Sequence, residues 1–173
     1  MNMTAIAFWA FGGVAVLGAL ACVTRKSPVA AALWLVLTLF ALAGMYVVLD
    51  AQFIAAIQVI VYAGAIMVLF LFVIMLLNLG RDGSSDLRGW PGRIVAGAIG
   101  LGLGTELWAL RGLFRSAAFR LPEGAMAQMN QRQGVVDVIA EPLFREYLVP
   151  FEITSVLLLA AAVGAVVLAK RRV

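Results

Sequence analysis

The sequence predicts an all-α integral membrane protein with five transmembrane helices. Hydrophobic residues make up 64% of the 173 positions and charged residues 13%, and the mean hydropathy is +1.05. A soluble domain of this size cannot bury so much apolar surface, because part of any folded surface must face water. The charges also cluster between long apolar runs, which is typical of a chain that crosses the bilayer several times.

Five apolar runs are long enough to cross the hydrocarbon layer as helices, or nearly so, since one crossing takes about 20 residues. The fourth run is the weakest because it contains four glycines, although small residues four positions apart also let helix backbones approach closely in lipid. The predicted helices cover residues 4–23, 29–49, 53–78, 94–110 and 151–169.

Residues near the ends of these runs predict where the helices begin and end. Ser27 and Pro28 fit the N-cap and first turn of the second helix, where the missing N–H of proline costs no hydrogen bond. Pro150 is expected to open the last helix, and Gly80 lies where it can cap the third. The very short polar turn around Asp50 makes the second and third helices antiparallel neighbours.

Residues 113–149 form a long polar and amphipathic segment between the fourth and fifth helices. This segment is too polar to span, so it is predicted to be an extracytoplasmic loop that can pack on the membrane surface. No internal repeat is evident, which argues against an inverted-repeat transporter built from this chain alone. We therefore expect residues 1–173 to form a single membrane domain.

The distribution of basic residues predicts an extracytoplasmic N-terminus and a cytoplasmic C-terminus. With five spans and this orientation, eight of the 13 Lys and Arg residues lie on the cytoplasmic side and five on the other. Cytoplasmic loops carry the excess of positive charge in most membrane proteins. The basic residues at helix ends meet lipid head groups, and no basic stripe interleaved with aromatics predicts a nucleic-acid partner.

The composition also limits the cofactors that the chain alone can bind. Cys22 is the single cysteine and the sequence has no histidine. This excludes an intrachain disulfide and sites built from several Cys or His ligands, such as zinc and iron–sulfur centres. We expect no catalytic residue, bound cofactor or metal in this chain, so any redox cofactor belongs to a partner.

The third run carries more polarity than a lipid anchor needs. Gln58 and Tyr62 are four residues apart and therefore share one helix face, and Gly64 follows near mid-span. Polar atoms in hydrocarbon require partners, so this face should meet protein or water. The two side chains fit either a functional site or an interhelical hydrogen bond that serves packing alone.

Glu106 and Glu152 are further polar candidates near the ends of the fourth and fifth helices. Glu106 lies about one turn before Arg111, where a carboxylate can extend toward water. Glu152 is expected in the first turn of the last helix, where a negative charge interacts favourably with the helix dipole. Either residue could instead take part in proton transfer.

At QVIVYAGAIMVLFLFVIML, residues 58–76, the sequence strongly resembles the J subunit family of respiratory complex I, the equivalent of mitochondrial chain 6. The resemblance extends to SPVAAALWLVLTLFALAGMYVVLDAQFIAA before this segment and to FEITSVLLLAAAVGAVVLAKRR near the end. Five spans and a long fourth loop also match, whereas residues 81–149 match only in layout.

The resemblance implies a membrane-arm subunit of a proton-pumping NADH:quinone oxidoreductase in a bacterial cytoplasmic membrane or an equivalent energy-converting membrane. NADH, FMN, iron–sulfur clusters and quinone would then be used by other subunits, and the partners would be other membrane-arm subunits and the lipid bilayer. In this family the third helix carries a π-bulge at the Tyr-x-Gly segment, thought to gate a water path by rotating the half-helix that follows. The gate and proton-path residues implied here are Gln58, Tyr62, Ala63, Gly64, Met67 and Val68.

Two other functions stay open at this point. The chain could be a purely structural or assembly subunit, holding neighbours through small-residue faces such as Gly100 with Gly104 and Ala160 with Gly164. It could also be a stand-alone channel or carrier, although the lack of deeply buried charge argues against that class.

Overall fold

The computed structural model describes residues 3–77, 90–114 and 124–170, and every regular element in these ranges is helical. Five helices are long and apolar enough to cross a membrane, which confirms the predicted fold class. The predicted orientation of the termini stays a prediction. The elements are α1 (Met3–Thr24), α2 (Pro28–Val48), α3 (Gln52–Ile57), a π-helix (Gln58–Ile66), α4 (Met67–Leu76), α5 (Trp90–Phe114), α6 (Ala125–Gln133), α7 (Asp137–Arg145) and α8 (Leu148–Ala169).

The elements α3, π-helix and α4 follow one another without a break and form one membrane span, Gln52–Leu76, called the third span below. The predicted end at Asn78 and the predicted cap Gly80 lie outside the described residues. The structure comprises two compact units, Met1–Ala125 and Met126–Val173. The single membrane domain stays a prediction.

α1 and α2 pack closely because small residues on one helix face larger side chains on the other. A Cβ added at Gly18 would lie 2.6 Å from the Thr38 hydroxyl, and one added at Gly44 would lie 2.6 Å from the Phe11 ring. The Thr38 hydroxyl itself donates to the carbonyl of Trp34 at 2.9 Å, so it is satisfied within its own helix. In lipid, such close backbone approach replaces the hydrophobic effect as the source of helix association.

The start of α2 agrees with its sequence signals. Ser27 is the N-cap with an extended backbone and Pro28 occupies the first helical turn, although the Ser27 side chain makes no capping hydrogen bond. The Arg25 guanidinium lies 5.7 Å from the centre of the Trp34 ring. This cation–π contact places the charge at the end of the α1–α2 pair.

The turn from α2 into the third span is a Schellman motif. The N–H of Asp50 donates to Val47 O at 3.1 Å and the N–H of Ala51 donates to Tyr46 O at 2.9 Å, which satisfies the last carbonyls of α2. Asp50 has φ of 59°, a left-handed conformation that glycine usually provides and that aspartate tolerates better than most residues. The turn therefore holds the beginning of the third span against α2.

α5 begins at Trp90, a turn earlier than predicted, and continues to Phe114. The Gly- and Ser-rich composition up to Arg93 predicts that residues 90–93 belong to the preceding loop. Pro91 is nevertheless tolerated in the first helical turn, where N–H groups have no intrahelical partner. Within residues 94–111 the helix buries none of its residues. A Cβ at Gly97, Gly100, Gly102 or Gly104 would meet no atom within 4 Å in the described part of the chain.

The unit Met126–Val173 shows that the expected loop of residues 113–149 is partly helical. α7 is an amphipathic helix that packs against α8. α8 begins at Leu148, so Pro150 does not open the helix, and Glu152 lies in the second turn, not the first. The reason is again that the first helical N–H groups are unpaired, so a proline at the third position breaks no bond.

Replacing Gly18 by valine should destabilise the α1–α2 pair. The added side chain must displace Thr38, and overpacking of this kind costs about 1–3 kcal/mol. Thermal unfolding of the purified chain in detergent would show a lower midpoint for Gly18→Val than for the unchanged chain.

Gly13→Val is the matched control, because a Cβ at Gly13 on the same helix meets nothing within 4 Å. Equal unfolding midpoints for the two variants would contradict the proposed close packing.

Candidate functional site: the π-helical segment of the third span

The middle of the third span winds as a π-helix over nine residues, Gln58–Ile66. The N–H of Met67 donates to the carbonyl of Tyr62, five residues earlier, whereas an α-helix would use the residue four earlier. The resemblance implied a bulge at Tyr62, Ala63 and Gly64, and the structure places all three inside this segment. π-Helical winding is rare, appears mostly as single-turn bulges inside α-helices, and is frequent at functional sites.

Gly64 lies close to the backbone of its own helix. A Cβ at Gly64 would lie 3.3 Å from the carbonyl oxygen of Val59, the residue five positions earlier. This separation is tighter than most real Cβ contacts, so the π-helical backbone would have to shift by a few tenths of an ångström to accept a side chain. In an α-helix the same position accepts alanine readily. We therefore expect glycine at this position to favour the π form over the α form.

The π-helix also determines which residues of the third span face α2. Ala55 and Met67 are each only 5% exposed and lie twelve positions apart, one before the π-helix and one after it. In an unbroken α-helix, twelve steps of ~100° would leave them about 120° apart. If the wider π turns absorb one extra residue, the separation falls to about 20°. The π-helix thus brings both residues onto one buried face.

That face continues along α4 and forms the principal apolar cluster between α2 and the third span. Met67 and Ile74 pack with Ala32 of α2 at the centre of the cluster. Leu71 lies between them, at helical spacing. The remaining members, all half-buried side chains of α2, are Leu35, Val36 and Leu39.

The polar candidates of the third span lie away from this cluster. Gln58 is half-buried, and the side chain of Tyr62 is 48% exposed. Ala63 is buried, Gly64 is half-buried, and Val68 is exposed beside the buried Met67. The phenol of Tyr62 is therefore presented to whatever surrounds the third span in the membrane.

The two carboxylates are not brought to the π-helix by contacts of the described residues. Glu106 lies on the exposed part of α5, in the unit that also contains the third span. Glu152 lies on the exposed surface of α8. Their proposed roles stay predictions.

The family model for NADH-ubiquinone/plastoquinone oxidoreductase chain 6 matches residues 18–168. The chain belongs to this family. A subunit J of NADH-quinone oxidoreductase from Pseudomonas aeruginosa is 40% identical over 162 residues, covering 92% of both chains. The corresponding subunit of Escherichia coli K12 is 36% identical over 165 residues, covering 92% of this chain and 83% of the relative. NAD(P)H-quinone oxidoreductase subunit 6 of the Chlorokybus atmophyticus chloroplast is 36% identical over 171 residues, covering 92% and 79% respectively.

This member of the chain 6 family does not reveal its winding in the spacing of its buried residues. Along the third span the buried residues are Ala55, Ala63, Met67 and Ile74. The successive intervals of eight, four and seven residues each fit one face of an α-helix. The spacing alone therefore does not distinguish the π form from the α form.

Replacing Gly64 by alanine should shift the third span from the π form toward the α form. The added Cβ disfavours the π form by roughly 1 kcal/mol, which is about a fivefold change in the equilibrium. In a Cys22→Ala background, the pair Ala32→Cys with Met67→Cys reports the π register through its disulfide yield. The pair Ala32→Cys with Ile66→Cys reports the α register, in which residue 66 replaces residue 67 on α2.

Gly64→Ala is expected to lower the first yield relative to the second. Gly97→Ala, on α5 where a Cβ meets nothing within 4 Å, should leave the ratio unchanged. A ratio that is the same in both variants would show that Gly64 does not control the winding.

Proposed function

We propose that this chain is a membrane-arm subunit of a proton-translocating NADH:quinone oxidoreductase in a bacterial cytoplasmic membrane or an equivalent energy-converting membrane. Its third span would act as a conformational gate that couples quinone reduction in other subunits to proton movement. The subunit names of its relatives support the first statement. The π-helix supports the second, because a rare winding in a membrane span can have two discrete states.

The sequence after the π-helix can pack against α2 in two registers. In the π form, Met67, Leu71 and Ile74 face the α2 cluster. Conversion to a continuous α-helix would rotate α4 by about 100°. The residue immediately before each of these three would then face the α2 cluster. These residues are Ile66, Phe70 and Val73, which are 48%, 49% and 44% exposed.

Both registers therefore bury three large apolar side chains on α2. Exchange of Met for Ile nearly conserves the buried volume, and the volume that Phe adds in place of Leu is partly offset by the methylene that is lost when Val replaces Ile. No polar side chain has to enter the cluster in either register. The proposal is that the two registers are close enough in free energy for an event in a neighbouring subunit to shift the equilibrium.

The contacts before the π-helix limit the rotation to the half of the span after it. The Schellman turn at Asp50 and the buried Ala55 hold α3 against α2. α2 is in turn held by α1 through the Gly18 and Gly44 contacts. Rewinding would consequently turn α4 and leave the preceding elements in place, which is the behaviour expected of a gate.

The rotation would alter what the third span presents to its neighbours. Val68 and Phe70 now lie on the exposed side, and they would move by about a quarter of a turn. Tyr62 and Gln58, within the π-helix, supply a hydroxyl and an amide that can hydrogen-bond to water in one state and release it in the other. Quinone reduction would thus change the hydration of a proton path through neighbouring subunits, with no covalent step on this chain.

A purely structural role is the second candidate, and the exposed small-residue faces favour it. A Cβ added at Gly100, Gly104 or Gly164 would meet no atom within 4 Å in the described part of the chain. These faces have room for close contact with helices of other subunits. The two functions differ in what a change at the π-helix does to an assembled enzyme.

Replacing Gly64 by valine should slow proton pumping in the assembled enzyme at least fivefold, since a clash costing ~1 kcal/mol or more shifts the winding by that factor. The assembled complex is purified from cells that carry the variant. Its subunit content, NADH:quinone reductase activity and proton pumping in vesicles are then measured. Ala65→Val, at an exposed position of the same π-helix, is the matched control.

Loss of assembly with Gly64→Val but normal specific activity in the complex that remains would favour the structural role. Wild-type reductase activity and wild-type pumping in fully assembled enzyme would contradict the gate.

A further inference from the structure

α5 carries a carboxylate within the apolar part of its membrane span. That part is Ile94–Arg111, which extends about 27 Å and so matches the roughly 30 Å thickness of the hydrocarbon core. Glu106 precedes Arg111 by five residues, or about 7.5 Å along the helix axis. Leu103 and Leu107, before and after it, are 59% and 71% exposed. Apolar surface therefore continues along the helix on both sides of the carboxylate.

The direction of the Glu106 side chain leads it away from the nearer membrane surface. Side chains of an α-helix tilt toward its N-terminus, and the water nearest to Glu106 lies at the C-terminal end of the span, beyond Arg111. The tilt places the carboxylate over the preceding turn, deeper in the hydrocarbon. Glu152 is the opposite case, because it lies four residues after the beginning of α8 at Leu148. The same tilt directs Glu152 toward water.

The Glu106 carboxylate has no partner among the described residues of its own unit, where its side chain forms no ion pair and no hydrogen bond. Arg111 is five positions away and therefore about 140° around the helix, whereas paired side chains on a helix stand three or four positions apart. Ionisable residues within membrane spans face protein or water and pair with one another, because a lone charge in hydrocarbon is costly. Glu106 therefore requires a partner from outside this unit.

The surface beside Glu106 leaves room for such a partner. Gly102 and Ala109 lie within about 60° of Glu106 on one flank, and a Cβ added at Gly102 would meet no atom within 4 Å in the described part of the chain. Leu103 and Leu110 lie on the other flank. Small residues let a second helix approach closely in lipid. A long side chain from that helix can then pass over Gly102 and reach the carboxylate.

We propose that the surface formed by Gly102, Glu106 and Ala109 binds a transmembrane helix of another subunit, and that a Lys or Arg of this helix pairs with Glu106. Charge complementarity selects a cation. A carboxylate offers only acceptors, and a cationic donor both hydrogen-bonds to it and neutralises it. A neutral hydroxyl or amide donor would leave the net charge in the membrane. This inference rests on the proposed assembly of the chain with other subunits but not on the gate.

The test measures how fast this subunit is lost from the assembled complex in detergent, after purification from cells that carry each variant. Glu106→Gln keeps the shape of the side chain and removes its charge, which leaves the partner's cation unpaired. We expect loss at least about tenfold faster than from the unchanged complex, since breaking a buried charge pair acts mainly on dissociation. Glu106→Lys, which opposes two cations, should dissociate faster still. Glu152→Gln is the matched control and should not change the rate.

Thermal unfolding of the isolated chain in detergent separates assembly from folding. Glu106→Gln should leave the midpoint unchanged, because the partner belongs to another subunit. A lower midpoint would place the partner within this chain and overturn the inference. Equal rates of subunit loss for Glu106→Gln and the unchanged complex would also overturn it, as would equal acceleration by Glu152→Gln. An unchanged chain that purifies without any other subunit would instead contradict the proposed function itself.

Discussion

The π-helix imposes one constraint on which the rest of this structure depends, the register between the third span and α2. Ala55 and Met67 lie on the same buried face because the winding between them departs from the α form. Without this departure, the buried cluster of Ala32, Met67 and Ile74 would lose two of its three members from the interface. The constraint is local in the chain, but it determines the environment of every residue from Met67 to Leu76.

The elements around the π-helix differ in how closely they are packed, and this difference is what the proposed gate requires. α1 and α2 pack closely through Gly18 and Gly44, which face Thr38 and Phe11. A single methyl group added at either glycine would clash with the facing side chain. α5 and α8, by contrast, bury no residues of their spans within the described chain. Their glycine faces are suited to contacts with other chains. The third span lies between these extremes, firmly packed at its start and dependent on the π-helix for its packing afterwards.

Much of this fold was predictable because hydrophobic length and helix-capping residues are local properties of a sequence. Five spans, the N-cap at Ser27 and the antiparallel turn near Asp50 follow from such signals. The predicted beginnings of α5 and α8 were wrong by about a turn, because Pro91 and Pro150 both stand inside the first helical turn, where proline is tolerated. The helices within residues 125–145 could not be predicted in this way, because short polar helices lack the long apolar run that indicates a membrane span.

The site was less accessible to sequence reasoning. Tyr62 and Gly64 indicated an unusual span, but the π winding came from the resemblance to the family. The closeness of Val59 O to the position that a Cβ at residue 64 would occupy depends on backbone geometry that no residue type specifies. Met67, Leu71 and Ile74 face α2, and in the other register the residue before each of them would take its place. This possibility can be recognised only once the face against α2 is known.

The most direct test of the gate is to hold the third span in its π register and ask whether the enzyme still pumps. Ala32→Cys and Met67→Cys, introduced together with Cys22→Ala, place a disulfide within the buried cluster of the π form. If rewinding is required, oxidation should abolish proton pumping in the assembled enzyme, and reduction should restore it. Each single-cysteine variant should be insensitive to oxidation. Full pumping by the cross-linked enzyme would contradict the account, because the span could then work without changing its winding.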